Sequence, residues 1–173
     1  LLCCSIGRLK LRFPAGSLSA LFGQAAADLG KTASQPGRTV GSSTRLRSIS
    51  MTFRGLSSVY DLAPQECRLA LGLPAARDLA QEFAAHVEAP RGFEPWTEML
   101  SACCLMEFNP TIGSQQVPLL EALITYLPKM KARLSFLGCL DVLASLGHVY
   151  GLPVRGHVVA VLQPYRKDLA GLA

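Results

Sequence analysis

Prolines divide the last two thirds of this sequence into segments whose apolar residues recur at helical spacing, and this pattern constrains the fold most strongly. The apolar positions lie three, four and seven residues apart, which places them on one face of an α-helix. Such segments begin near Pro95, Val117 and Leu134, and the clearest stripe covers residues 154–169. After residue 56 we find no strand-like alternation. The sequence therefore predicts an all-α protein.

The turns between these segments share a proline that follows one predicted helix and precedes the next. These prolines are Pro74, Pro110 and Pro153. A cysteine recurs every 36 residues in the helices before these turns: Cys67, Cys103 and Cys139. We interpret residues 55–173 as about three helix-turn-helix units stacked as a short α-solenoid, because a single unit of this kind cannot bury its apolar faces alone. A plain irregular helical bundle is the alternative.

The positive charge of the chain is concentrated in its N-terminal third. Residues 1–55 contain eight basic residues and a single acid, Asp28, whereas the remainder contains nine basic and eleven acidic residues. Residues 17–29 have the spacing of a short amphipathic helix that stops at Gly30, and residues 30–50 are so rich in Ser, Thr, Gly, Pro and Arg that we expect them to be extended or disordered unless a partner holds them. We therefore predict a basic N-terminal arm, residues 1–54, in front of a helical repeat domain, residues 55–173.

The composition of this arm resembles a mitochondrial import presequence, which is rich in Arg and Ser, poor in acids and amphipathic. An ordinary basic tail is the alternative. The longest apolar runs fall short of the roughly 18 residues that a spanning helix requires. We expect a protein of the mitochondrial matrix with no membrane span.

The cysteines and histidines do not form a recognisable reactive site. Cys67, Cys103 and Cys139 lie among apolar residues, so we expect reduced thiols that pack as small buried side chains. The histidines lack the spacing of a metal site: His86, His148 and His157. We predict that the protein binds no metal and no cofactor.

The remaining charged residues also suggest no catalytic centre. Glu94, Glu98 and Glu107 are expected on a solvated helix face, not as a pair of catalytic carboxylates. The glycine-containing stretches "GLPVRG" and "FRGLSS" do not match a phosphate-binding loop. We predict no catalytic residues, no enzyme activity and no small-molecule substrate.

Two groups of basic residues are candidates for contacts with nucleic acid. The first combines arginines with Ser and Thr hydroxyls and with Phe53, a mixture suited to phosphate and base-stacking contacts. The second group lies between two predicted helices. An equally good explanation for these cations is that they complement the helix dipoles. The predicted nucleic-acid-binding residues are Arg38, Arg45, Arg47, Arg54, Lys129, Lys131 and Arg133.

The stretches "WTEMLSACCLMEFNP" and "LLEALITYLPKMKARLSFLGCLDVLASLGHVYGLP" resemble the helical-repeat proteins of organelles, namely the pentatricopeptide, octotricopeptide and RAP-associated groups. The resemblance covers residues 62–169 and rests on loose patterns of paired helices, without a recognisable base-reading code. It implies binding to organellar RNA or a scaffold role in organellar ribosomes.

From these features we expect a structural, non-catalytic accessory subunit of a mitochondrial ribonucleoprotein. The mitochondrial ribosome is the expected assembly, and ribosomal RNA and neighbouring subunits are the expected partners. The alternative is an accessory subunit of a mitochondrial respiratory or ATP synthase complex.

Overall fold

A computed structural model describes residues 14, 16–33, 42–86 and 94–130 of the chain. Within these residues it contains six helices and one two-stranded hairpin, so the expectation of an all-α protein is confirmed for the described part. The helices are α1 (Ser17–Ala33), α2 (Ser42–Ser57), α3 (Pro64–Leu71), α4 (Pro74–Ala85), α5 (Glu94–Leu105) and α6 (Leu119–Met130). The strands are β1 (Thr111–Ile112) and β2 (Val117–Pro118), which pair antiparallel. None of the helices in these ranges is both long and apolar enough to cross a membrane.

Helix α1 confirms the amphipathic helix predicted from residue 17, but it continues past the predicted stop at Gly30. Leu18, Phe22 and Ala26 are buried at successive turns of the same face, whereas Leu21 is 38% exposed. A glycine inside a helix costs only about 1 kcal/mol relative to alanine, so Gly30 alone does not end it.

Helix α2 corrects the expectation of an extended arm. Residues 42–54 are helical, and the boundary expected between residues 54 and 55 falls inside this helix. Leu46, Ile49, Phe53 and Leu56 are almost completely buried. These four side chains lie on one helical face, and their burial stabilises a helix whose other positions are mostly Ser, Thr and Arg. The other parts of the expected arm, residues 1–13 and 34–41, lie outside the described residues.

Helices α3 and α4 form a helix-turn-helix unit, as predicted around Pro74. Each has a proline in its first turn, where the missing N–H would have no intrahelical partner in any case. Neither helix has a side-chain N-cap, so proline is the local signal that starts both. Gly72 and Leu73 alone connect them.

The connection from α5 to α6 differs from the expected turn at Pro110. Helix α5 ends at Leu105, and the β1–β2 hairpin separates it from α6. Pro110 therefore precedes a strand instead of a helix, and its carbonyl accepts a hydrogen bond of 2.9 Å from the Leu119 N–H. The Asn109 side chain accepts a second, also of 2.9 Å, from the Leu120 N–H. Residues on the other side of the hairpin thus accept hydrogen bonds from two backbone N–H groups at the start of α6, which have no partner within the helix.

Helix α6 includes Pro128 and continues to Met130. A proline in a helix interior removes one hydrogen bond and usually kinks the helix without always ending it. Its predicted apolar face is confirmed for Leu120, Leu123 and Ile124, which are all buried.

The six helices contribute to one hydrophobic core. Helix α2 packs most extensively against α5, α1 contacts α2, α3 and α4, and α6 contacts α4 and α5. The Trp96 side chain is fully buried, and its indole N–H donates to the Leu123 carbonyl of α6 at 3.2 Å. The helices predicted after residue 130 lie outside the described residues, and so does the proposed third unit.

Candidate functional site

The predicted nucleic-acid-binding residues are distributed unevenly over the described structure. Arg45, Arg47 and Arg54 lie on α2, and Lys129 lies near the end of α6. The other three predicted residues lie outside the described residues: Arg38, Lys131 and Arg133. The structure thus brings together only the arginines of α2, and their surroundings differ from one to the next.

Arg45 links three helices. Its guanidinium forms a bidentate ion pair with the Glu82 carboxylate of α4, in which Nε contacts Oε1 and Nη2 donates to Oε2 at 2.7 Å. Its third nitrogen, Nη1, donates to the Leu29 carbonyl of α1. The hydrogen bond to Glu82 raises the pKa of Arg45, against the opposing effect of burial, and the charge of Glu82 raises it further. The side chains of Arg45 and Glu82 are only 17% and 27% exposed, so this cation serves the packing of helices.

Arg54 is also paired. Its Nη1 contacts Oε1 of Glu98, and the Ser50 hydroxyl lies 3.0 Å from Oε2 of the same carboxylate. Ser50 itself is completely buried. Together these contacts join α2 to α5. Arg54 remains 57% exposed, but its charge is largely offset by Glu98.

Arg47 differs from both neighbours. Its side chain is exposed, and it has no hydrogen-bond or ion-pair partner within the described ranges. Of the three predicted arginines on α2, it is the one whose charge is available to a partner.

Phe53 does not occupy the position expected of a base-stacking residue. It is fully buried, lies edge-on to Phe22 with ring centroids 5.7 Å apart, and stacks on Phe108 at 5.5 Å. Aromatic pairs at these separations stabilise a core beyond the area they bury. The ring therefore belongs to the interior, and the interpretation of Phe53 as a nucleic-acid contact is wrong for this conformation.

The cysteines of the described structure pack in the interior. Cys67 and Cys103 are completely buried, which confirms the expected packing role for both, whereas Cys139 lies outside the described residues. Burial raises the pKa of the Cys103 thiol well above its ordinary value, and the neighbouring Cys104 raises it further. Burial also raises the pKa of Cys104, to about 12. Since the thiolate is the nucleophile and the metal ligand, these thiols are poorly reactive at neutral pH.

The expected solvated row of acids is correct only in part. Glu94 and Glu107 are exposed, but Glu98 is half-buried and pairs with Arg54. His86 is exposed at the end of α4, and its Nδ1 lies 3.0 Å from the Glu82 carbonyl oxygen. The other two histidines lie outside the described residues: His148 and His157. In the part of the chain that the structure describes, no three His, Cys, Asp or Glu residues are grouped as metal ligands.

The charge of the described residues is opposite to that of the whole chain. The described residues include seven basic and nine acidic residues, a net charge of −2. The remaining residues include ten basic and three acidic residues, a net charge of +7, which together give the total of +5. The seven described basic residues are Lys31, Arg45, Arg47, Arg54, Arg68, Arg77 and Lys129.

Sequence reasoning missed both carboxylate partners of the arginines. Glu82 lies 37 residues after Arg45, and Glu98 lies 44 residues after Arg54, so no local spacing connects them. A partial signal was present: Arg45 lies four residues before the buried Ile49, one helical turn away at the edge of the apolar face. A cation at such an edge favours a partner on the neighbouring helix.

Comparisons with protein-family models, with curated proteins and with solved structures gave no match for this chain.

Proposed function

We propose that this chain is a non-catalytic helical subunit of a mitochondrial ribonucleoprotein, with the mitochondrial ribosome as the assembly and the matrix as the compartment. In this proposal the described helices bind neighbouring proteins, and ribosomal RNA is contacted by Arg47, Lys129 and basic residues outside the helices. The α3–α4 and α5–α6 pairs are the first units of the stack, and residues after 130 continue it.

The separation of charge carries this proposal. A phosphate backbone attracts clustered Lys and Arg residues and repels carboxylates. The described residues have a net charge of −2, which does not suit a long contact with RNA, whereas the remaining residues have a net charge of +7. Such a distribution suits a folded part that faces protein and basic segments that reach RNA.

The occupied ion pairs support a structural role for the helices. Arg45 and Arg54 hold α2 against α4 and α5 through Glu82 and Glu98, so these four residues have packing roles. We therefore propose RNA contacts at Arg38, Arg47 and the basic residues from 129 onward, and no longer at Arg45 and Arg54.

Sedimentation of the native assembly tests the compartment and the partner together. We expect the full chain to sediment with ribosomal particles from mitochondrial lysate and to shift to light fractions after ribonuclease treatment. Sedimentation with a membrane complex that resists ribonuclease would contradict the proposal and favour the respiratory or ATP synthase alternative.

A pair of matched variants tests where RNA binds. The Lys131→Gln/Arg133→Gln variant should dissociate from the particle at lower salt, and each lost phosphate contact should reduce the slope of log affinity against log salt by about 1. The control, Arg68→Gln/Arg77→Gln, removes the same charge from exposed positions on α3 and α4. An equal effect of both variants would show that only net charge matters and would contradict a local RNA contact.

A further inference from the structure

Helix α3 has an uncovered outer face with a leucine at each end. Cys67 and Ala70 are buried on the inner side of the helix, and α1 and α4 are the described helices that pack most against it. The outer side carries Leu69, which is 61% exposed, and the turn directly before the helix carries Leu62, which is 45% exposed. Single exposed leucines are common, but two of them on one eight-residue helix and its entry turn mark a surface for contact.

The charged residues of this face are arranged symmetrically about Gln65. Arg68 and Leu69 follow Gln65 by three and four residues, which places all three on one side of the helix. Leu62 and Asp61 precede Gln65 by three and four residues. We call these five residues the α3 face. It has an acid and a leucine at one end, and a base and a leucine at the other.

Both charges of the α3 face are available to a partner. Asp61 is exposed, and within the described ranges its carboxylate has no hydrogen-bond or ion-pair partner. Arg68 is also exposed, and Nη2 of its guanidinium lies 3.4 Å from the Tyr60 hydroxyl. None of the described carboxylates forms an ion pair with Arg68.

We propose that the α3 face binds the α3 face of a second copy of this chain, antiparallel across a two-fold axis at Gln65. A two-fold axis places the residues before Gln65 opposite those that follow it in the other copy. Leu62 then meets Leu69 of the second copy, and Asp61 lies opposite Arg68 of the second copy, each twice in the dimer. A partner with one sign of charge would match only one end of the face, whereas a second copy matches both ends and fixes the register.

The size of the face predicts a weak dimer. One side of a short helix is smaller than the roughly 800 Å² that each partner buries in a standard interface, so we expect a dissociation constant of roughly 100 μM. Such a dimer forms in the isolated chain, independently of the mitochondrial function proposed above.

Sedimentation velocity of the purified full chain tests this dimer. Between about 5 and about 500 μM, the average mass should rise from that of the monomer toward that of the dimer. Leu69→Glu should lower the association constant at least about tenfold, because it places a carboxylate against Leu62 of the second copy. The control, Leu105→Glu, alters a leucine of α5 that is 46% exposed and should leave the constant unchanged. A chain that stays monomeric, or an equal effect of both variants, would overturn the dimer.

Exchange of the two charges tests the antiparallel register. Asp61→Arg and Arg68→Asp should each lower the association constant about fivefold, because each places like charges opposite one another. The double variant Asp61→Arg/Arg68→Asp restores opposite charges at both ends and should return the constant to within about twofold of its original value. Unchanged far-ultraviolet circular dichroism shows that each variant is folded. A double variant that associates no better than the single variants would contradict this register.

Discussion

A single guanidinium, that of Arg45 on α2, contacts α4 through a bidentate ion pair and α1 through one hydrogen bond to a carbonyl. Its neighbour Arg47, two residues along the same helix, is exposed. Residue type and local spacing therefore do not show whether an arginine is available to a partner. Its distance from a carboxylate on a neighbouring helix decides it, as the pairs Arg45–Glu82 and Arg54–Glu98 show.

Loss of the Arg45 contacts should destabilise the fold. We expect Arg45→Gln to reduce the free energy of unfolding by about 2 kcal/mol, because Glu82 would keep a partly buried charge without its bidentate partner. Arg47→Gln is the matched control and should change it by less than about 0.5 kcal/mol. Urea unfolding of both variants measures the difference. Equal stabilities would show that the Arg45–Glu82 pair does not hold the helices together.

The buried thiol of Cys104 predicts a loss of stability at alkaline pH. Its pKa is raised from 9.0 to about 12 in the folded state, so between these values the unfolded chain releases a proton that the folded chain keeps. Below pH 9 both states hold the proton, and this thiol contributes no pH dependence. Between pH 9 and about pH 12, this thiol should lower the free energy of unfolding by about 1.4 kcal/mol for each pH unit.

Comparison with Cys104→Ala isolates this contribution from other groups that titrate at high pH. Urea unfolding at pH 8 and pH 10 should show a smaller alkaline loss for the variant, by about 1.4 kcal/mol. Parallel losses in the two proteins would mean that Cys104 is accessible to solvent and not buried as described.

At the scale of single elements, α1 and α2 show what sequence can and cannot predict. The spacing of Leu18, Phe22 and neighbouring apolar residues predicted α1 correctly. The apolar face of α2 was also present in the sequence, but Ser, Thr and Arg at the other positions gave the segment the composition of a disordered arm. Composition was misleading because a helix needs only one apolar stripe if a neighbour, here α5, covers it.

The start of α6 could not be predicted from local sequence, because its cap comes from the far side of the hairpin. Pro118, directly before the helix, offers no side-chain acceptor, and Asn109 supplies one from 11 residues away. A cap at this distance depends on the path of the intervening chain, which residue patterns near the helix do not specify.

The Asn109 cap should stabilise the fold measurably. We expect Asn109→Ala to lower the free energy of unfolding by about 1 kcal/mol, and Asn109→Asp to restore most of it because a carboxylate keeps the acceptor near the positive end of the helix. Gln115→Ala, at the exposed tip of the hairpin, is the control. Equal thermal midpoints for Asn109→Ala and the control would contradict the capping role.

At the scale of the whole molecule, the described helices share one core. The described residues have a small net negative charge of −2, and the remaining residues have a net charge of +7. The helical class was predictable because apolar periodicity is a local property. The ion pairs and the charge separation were not, since both depend on which residues fold together. The candidate RNA contacts were predicted from charge alone, which is why Arg45 and Arg54 were included.

Helices α1 and α2 belong to the same folded core as α5, so residues 17–33 and 42–54 do not form a free basic arm. Hydrogen exchange of the full chain, followed by mass spectrometry, tests this shared core most directly. We predict that the slowest amides in peptides covering residues 18–28 and 46–56 open with free energies within about 1 kcal/mol of those covering residues 96–104. Exchange of the first two peptides within seconds, while α5 stays protected, would contradict the claim.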